Sequence, residues 1–240
     1  MYSDTDLLRD INEFLETPIH VHGDGPSQLQ TLLLKHHMDV ASAAIATSSH
    51  KEVAARFMQR SQDYPEGKTS LLTSPSLGNL LQNGDDNNEK SLKFVLADIL
   101  CKESNVAMLS EATIFEVIPF AISWMALDSI AISNTASNLL LRIAQHASLL
   151  CERVTSLSMD YLRMHPDMST TIMLRYLSLF CKIMESDPEN SAICLKYGCP
   201  AAVMKAIETP DFLVQVPIIA QYSSPAYMIC FRNYRTIASP

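Results

Sequence analysis

The chain has 240 residues, of which 48% are hydrophobic and 18% charged, and its formal net charge at pH 7 is −8. This length and composition suffice to bury a large core, either in one domain or in a stack of repeats. The acidic balance argues against nucleic-acid binding, which relies on concentrated Lys and Arg, and favours a protein partner with basic groups.

The first 60 residues are predicted to form N-terminal helical or capping repeats. Helical patterns cover residues 4–15, 28–38 and 40–58. The first helix carries Asp and Glu among its apolar residues, so it lacks the basic start and apolar run of a signal peptide. Residues 61–90 are rich in Pro, Gly, Asp and Asn, and we interpret them as flexible turns around one short helix at 77–81.

Residues 91–216 are predicted to form armadillo-like repeats. Acidic turns recur at Asp86, Asp128, Asp167 and Asp211, with spacings of 42, 39 and 44 residues. Periods in this range are typical of a helical solenoid. Each turn follows an apolar stretch, and a short third segment follows the next helix. The apolar stretches are residues 71–81, 113–127, 154–164 and 199–207, and the third segments are 104–112, 148–153 and 189–197.

Three helical pieces per unit favour an all-α, right-handed α-α superhelix of the armadillo or HEAT-like type, possibly truncated, forming a single solenoid domain. One such unit cannot bury its own apolar faces, so successive units stack into a continuous core. Pro217 and Pro225 interrupt the pattern, and residues 217–240 are predicted to be an irregular C-terminal tail.

Polar residues follow narrow stripes on two otherwise apolar helices. The polar positions step by three and four residues, which places them on one face of a helix. Registered stacking would put both stripes on one continuous surface, and we interpret them as candidate protein-binding residues: Asn138, Arg142, Gln145, Arg175, Ser178 and Lys182. The alternative is that these residues are only the solvated side of packed helices.

The six cysteines include no CxxC pair and mostly lie in apolar helical stretches, at positions 101, 151, 181, 194, 199 and 230. They are typical of buried reduced thiols, so we expect a cytoplasmic or nuclear protein. The longest apolar run, residues 117–127, is shorter than the roughly 20 residues needed to cross a bilayer, and we expect no membrane span.

Candidate chemical sites are sparse. A group at His20, His22, His36 and His37 has no cysteines or carboxylates at a diagnostic metal-ligand spacing, and we interpret these residues as loop and surface histidines. Cys194 and Cys199 are interpreted as two core thiols instead of a redox couple. Residues 85–89 resemble a calcium loop only in composition, and a helix-capping turn is the better interpretation.

No phosphate-binding glycine loop, nucleophile elbow or HExxH helix occurs in the sequence. We therefore expect no enzymatic activity, no cofactor and no metal. The expected partner is a protein, without nucleic acid or membrane, and the isolated chain is expected to be a monomer.

Three segments carry a resemblance to a known family within the armadillo superfamily. They are GDDNNEKSLKFVLADIL at 84–100, NTASNLLLRIA at 134–144 and IMLRYLSLFCKIMESDPENSAICLKYG at 172–198. In order and spacing they resemble the proteasome non-ATPase regulatory subunit 5 family, over about residues 84–214. The resemblance implies a solenoid chaperone that assists assembly of the proteasome regulatory-particle base. Such a chaperone holds the carboxyl-terminal domain of one ATPase subunit and leaves before the mature particle forms.

The resemblance transfers no individual site residue to this chain, and family members are considerably longer. The competing hypothesis is a generic armadillo-type scaffold or adaptor that binds another protein in signalling or trafficking. A third hypothesis, a histidine-based metalloenzyme, would require bound zinc.

Overall fold

The structure, a computed structural model, describes residues 4–18, 26–82 and 92–202. Across these ranges the chain forms α-helices, one 3-10 turn at Ser48–His50 and no strand, which confirms the predicted all-α class. Its right-handed superhelical arrangement stays a prediction. The helices are α1 (Asp4–Glu16), α2 (Gln28–His36), α3 (Val40–Ala46), α4 (Lys51–Ser61), α5 (Pro65–Leu72), α6 (Leu77–Gln82), α7 (Leu92–Leu100), α8 (Glu103–Val106), α9 (Glu111–Met125), α10 (Ile130–His146), α11 (Ser148–Met164), α12 (Thr170–Ser186) and α13 (Pro188–Lys196).

Short polar side chains start several of these helices. Asp39 Oδ1 accepts a hydrogen bond from the Ser42 amide at 2.7 Å at the start of α3, and Ser169 Oγ accepts from the Ile172 amide at the start of α12. These contacts satisfy amides that have no partner inside the helix. Asp187 does the same for α13, where Pro188 at the first helical position loses no hydrogen bond.

The chain divides into two compact units. The first comprises Met1–Phe120 and Leu127–Thr135, and the second comprises Ala121–Ala126 and Ala136–Pro240. In the first unit, α1 packs against α2 and α4, α3 packs against α4, α5 and α6, and α7 packs against α4, α6 and α8. In the second unit, α11, α12 and α13 pack against one another.

The apolar faces of amphipathic helices form the core of the first unit. On α1 the buried residues are Leu7, Ile11, Phe14 and Leu15, at helical spacing. The Phe14 ring meets the Phe57 ring of α4 edge to face, with centroids 5.8 Å apart. Arg60 of α4 also joins α4 to the end of α1, because its Nη1 donates a hydrogen bond to the Leu15 carbonyl oxygen at 2.9 Å.

The interpretation of residues 61–90 needs a correction. The predicted short helix is present as α6, but α5 is a second helix where only turns were expected. Pro65 stands at the start of α5, where proline is tolerated. Gly67 marks a close approach instead of a turn, because a Cβ there would lie 2.7 Å from Leu29 Cδ2 and closer still to the Ser61 carbonyl oxygen.

The predicted three-piece repeat is wrong at residues 148–164. The third segment at 148–153 and the following apolar stretch at 154–164 form one continuous helix, α11. No Gly or Pro interrupts this stretch, so nothing in the backbone ends the helix between the two pieces. The third segment at 104–112 is also reduced to the single turn of α8, whereas 189–197 is confirmed as α13.

Two of the four predicted acidic turns can be placed. Asp128 lies exposed between α9 and α10, and Asp167 lies exposed between α11 and α12. Asp86, Asp211, the calcium-like residues 85–89 and the predicted tail 217–240 lie outside the described residues. The apolar stretch 199–207 is helical over its first four residues, 199–202, and its remainder lies outside them too.

Candidate functional site

The first predicted stripe follows the exposed side of α10. Asn138, Arg142 and Gln145 are all exposed. Between them, Leu139, Leu140, Ile143 and Ala144 are buried. This alternation agrees with the predicted narrow polar face, because residues three and four apart share a side of a helix.

The second predicted stripe, on α12, is less uniform. Lys182 is exposed, whereas Arg175 and Ser178 are half-buried. The opposite side of α12 is the core of the second unit, where five residues are buried: Tyr176, Leu177, Leu179, Phe180 and Ile183. Of the three predicted contact residues on α12, Lys182 is therefore the one most available to a partner.

Arg175 has a structural role that the sequence does not reveal. Its Nη1 donates to the carbonyl oxygen of Met125, the last residue of α9, at 3.0 Å. Beside it, the Tyr176 hydroxyl donates to the Ile122 carbonyl oxygen at 2.7 Å. Carbonyls in the last turn of a helix have no partner within the helix, so Arg175 caps the end of α9. A stripe position predicted as a partner contact thus also holds the fold together.

Burial and the neighbouring Tyr161 ring both affect the pKa of Tyr176. Its ring stacks on that of Tyr161 with centroids 5.5 Å apart, and Tyr161 stacks on His165 at 4.2 Å. Burial raises the pKa of Tyr176 well above its usual value, with a smaller contribution from Tyr161. The phenol therefore keeps the proton with which it holds the Ile122 carbonyl.

A polar cluster that sequence reasoning missed joins α11 to the end of α13. Glu152 Oε1 accepts from Lys196 Nζ at 2.6 Å and from the Tyr197 hydroxyl at 2.7 Å. The hydrogen bond from Lys196, followed by that from Tyr197, lowers the pKa of Glu152, and the bond to Glu152 raises the pKa of Lys196 and of Tyr197. The partners are 44 and 45 residues apart in the chain, so no local pattern signals the cluster.

The two histidines of the predicted group that the structure describes have different roles. His36 is buried, and its Nε2 lies 2.8 Å from Asp10 Oδ2, which also pairs with Lys35 at 2.5 Å. His36 is therefore a core residue instead of a loop or surface histidine, because α2 packs it against α1. His37 is exposed, as predicted, and adopts a left-handed conformation with φ of 51° at the end of α2. His20 and His22 lie outside the described residues.

Within 4–18, 26–82 and 92–202, no cluster of three or more His, Cys, Asp or Glu side chains could hold a metal ion. The described part also contains no helix that is both long and apolar enough to cross a membrane.

Buried thiols gather in the second unit. Thr155 Oγ1 of α11 lies 4.0 Å from Cys151 Sγ and 3.9 Å from Cys194 Sγ of α13. Cys151, Cys194 and Cys199 are all buried, and none of them forms a disulfide. Burial raises the pKa of Cys151 to about 12, with Cys194 as a further cause, and the bond to Cys194 followed by burial raises that of Cys199. Cys194 and Cys199 thus lie in the core, as the sequence interpretation expects.

The two remaining described cysteines, Cys101 and Cys181, are half-buried and form no disulfide, so the prediction of buried thiols is too broad for these two. The Cys101 thiol donates to the Thr135 carbonyl oxygen at 2.9 Å in the first unit.

Scans against protein-family models, curated proteins and solved structures returned no match to the chain.

Proposed function

We propose that the chain is a protein-binding helical-repeat protein, and that it acts as an assembly chaperone for the proteasome regulatory-particle base. The observation that carries the binding proposal is the exposed polar face of α10, where Asn138, Arg142 and Gln145 stand over a buried apolar face. Such residues on a rigid helix present fixed hydrogen-bond donors and charge to a partner. The partner itself, the carboxyl-terminal domain of one proteasomal ATPase subunit, follows from the resemblance to the subunit 5 family.

The mechanism in this proposal is binding and occlusion. The solenoid would hold the ATPase domain on the polar face, with affinity supplied by a few anchor contacts, and would block premature docking by occupying that domain. No bond is made or broken, so the proposal requires neither a cofactor nor a metal. We place this activity in the cytoplasm or the nucleus, and we expect a monomer before the partner binds.

A direct binding experiment tests the proposal. The full chain would be immobilised and titrated with the purified carboxyl-terminal domain of each proteasomal ATPase subunit. The chaperone hypothesis expects one of these domains to bind and the others to bind much more weakly. Absence of binding to every one of them would exclude this partner class. Capture of a signalling or trafficking protein in its place would favour the generic adaptor.

The contact face is tested by charge reversal at exposed positions. Arg142→Glu with Lys182→Glu should weaken binding about tenfold or more, because a few interface residues carry most of the affinity. Arg175 is left unchanged, since its replacement would also remove the cap on α9.

The matched control is Arg153→Glu with Arg163→Glu, which makes the same change in net charge at exposed positions of α11. Equal weakening by the two double variants would show that overall charge matters and would exclude the stripe. Circular dichroism of both variants would establish that the helices are retained.

A further inference from the structure

The methionine side chains of the described residues differ widely in exposure. Met58 and Met125 are fully buried at 0%, whereas Met38 is 37%, Met108 is 42% and Met164 is 70% exposed. Among apolar side chains, methionine carries a thioether sulfur that mild oxidants convert into a sulfoxide. Met164 therefore combines a reactive sulfur with the largest exposed fraction of these five residues.

The position of Met164 on α11 explains its exposure. It is the last residue of the helix, and it follows the exposed Arg153 by eleven positions and the exposed Asp160 by four. Residues at these spacings share one side of a helix. The buried residues of α11 end at Met159. Met164 thus lies on the solvent side of α11, away from the core of the second unit.

An ordered turn follows Met164. The His165 amide donates to the Tyr161 carbonyl oxygen at 3.1 Å, and the imidazole stacks on the Tyr161 ring with centroids 4.2 Å apart. The Met168 amide then donates to the His165 carbonyl oxygen at 3.3 Å, which closes the turn. These contacts bring His165 back onto α11, while the neighbouring Met164 side chain stays at the surface.

We propose that Met164 is a reversible oxidation site. Hydrogen peroxide converts its thioether into the sulfoxide faster than it oxidises the half-buried and buried methionines within 4–18, 26–82 and 92–202, and methionine sulfoxide reductases convert it back. The fold is retained in both states. This inference stands on the exposure and setting of Met164 and is independent of the proposed function.

The oxidation transfers one oxygen atom and removes two electrons from sulfur. The thioether sulfur attacks one oxygen of hydrogen peroxide, the S–O bond forms, the O–O bond breaks, and hydroxide leaves. The proton on the transferred oxygen passes to that hydroxide, which departs as water. In the reverse reaction two reductase thiols are oxidised to a disulfide, and the sulfoxide oxygen leaves as water.

Exposure affects both the rate of oxidation and its consequence. Peroxide reaches Met164 in the folded chain, whereas access to Met58 and Met125 requires local opening. A sulfoxide at Met164 remains hydrated, but at Met58 or Met125 it would place a polar oxygen in the core. Oxidation of Met164 therefore replaces an apolar surface group with a hydrogen-bond acceptor and leaves the core unchanged.

The test is a time course of the full folded chain in dilute hydrogen peroxide. Samples would be quenched with catalase and free methionine, digested with trypsin and analysed by tandem mass spectrometry. The peptide 164–175 carries Met164 together with the half-buried Met168 and Met173, so the three rates are compared within one molecule. We expect Met164 to react at least about fivefold faster than Met168 and Met173, because its sulfur needs no opening of the fold.

A second peptide provides the matched control. Peptide 103–142 carries the exposed Met108 and the buried Met125, and Met108 should react faster. In urea the rates within each peptide should converge, because the unfolded chain exposes every sulfur. A folded chain in which Met164 reacts no faster than Met168 and Met173 would overturn the proposal.

Reversal and retention of the fold are tested separately. Reductases for both sulfoxide epimers should return Met164 to the thioether, and a sulfoxide that persists would contradict reversibility. Met164→Gln, which places a polar group at the same position, should keep the urea midpoint of the parent chain, whereas Met125→Gln should lower it. Equal losses in the two variants would refute the claim that the fold tolerates oxidation at Met164.

Discussion

Arg175 donates a hydrogen bond from Nη1 to the carbonyl oxygen of Met125, 50 positions earlier, at 3.0 Å. The same device occurs in the first unit, where Arg60 of α4 donates to the Leu15 and Thr17 carbonyl oxygens at the end of α1. In each unit, an arginine from a later helix therefore satisfies the free carbonyls at the end of an earlier one. For Arg175, this role cannot be deduced from its position in the polar stripe.

Replacing Arg175 should cost stability, whereas replacing its exposed neighbour on the same stripe should not. We expect Arg175→Met to lower the free energy of unfolding by about 1–3 kcal/mol, because the Met125 carbonyl loses its charged donor. Lys182→Met, the matched control, should change it by less than about 0.5 kcal/mol, because Lys182 is exposed. Urea unfolding followed by circular dichroism measures both, and equal effects would contradict the capping role.

Asp10 should make the packing of α1 on α2 sensitive to acid. The hydrogen bond from Lys35, with further ones from His36 and Arg9, lowers the pKa of this carboxyl from 3.8 to about 2 against the opposing effect of burial. A folded pKa below the unfolded one stabilises the fold above the unfolded value, and this contribution is lost as the pH falls from 3.8 towards 2.

We therefore expect Asp10→Asn to be less stable than the parent chain at neutral pH and to lose less stability between pH 4 and pH 2. Urea midpoints measured at several pH values in that interval provide the comparison. Parallel curves for the two proteins would rule out Asp10 as the source of the acid dependence.

The left-handed residues at two helix ends should respond in opposite directions to substitution. His37 ends α2 in a Schellman turn, in which its amide donates to Leu34 and the Met38 amide donates to Leu33. A side chain is strained at its φ of 51°, so His37→Gly should stabilise the protein by about 0.5–1 kcal/mol.

Gly198→Ala is the reciprocal variant. Nothing lies within 4 Å of a Cβ added at Gly198, so the loss of about 1 kcal/mol that we expect would come from the backbone conformation alone. Thermal unfolding of both variants tests the pair. If His37→Gly lowered the free energy of unfolding, the imidazole would contribute more to stability than the strained backbone at His37 costs.

Gly67 should tolerate no side chain. A Cβ there would overlap Leu29 Cδ2 and the Ser61 carbonyl oxygen, so Gly67→Ala would force α5 away from its neighbours. We expect a loss of about 1–3 kcal/mol in spite of the higher helix propensity of alanine. Lys68→Ala, the adjacent half-buried position on α5, is the control, and a Gly67→Ala variant as stable as this control would show that the helix has room to move.

Part of the site could be predicted because helical periodicity is a local property. The steps of three and four residues that placed Asn138, Arg142 and Gln145 on one side of α10 agree with their exposure. The same rule could not separate Arg175 from Lys182, since both fit the stripe. Whether a long polar side chain reaches solvent or bends back to a carbonyl depends on what packs beside it, and for Arg175 that is the end of α9.

Proline and glycine were the least predictable residues, because each has more than one structural use. At 65–72 they suggested turns, yet Pro65 starts a helix and Gly67 permits a close approach. At 148–153 a division between two segments was predicted, although the stretch contains no residue that breaks a helix.

The sequence by itself determined the all-α class, the polar face of α10, the short helix α6 and the acidic turns at Asp128 and Asp167. These features depend on spacing and turn chemistry within a few residues. Only the tertiary structure decided that Arg175 caps α9, that His36 pairs with Asp10, and that Cys151, Thr155 and Cys194 meet in one core. Apart from Cys151 and Thr155, which are four positions apart on α11, these contacts join residues 26 to 50 positions apart. Packing between helices brings those residues together, and no local periodicity encodes it.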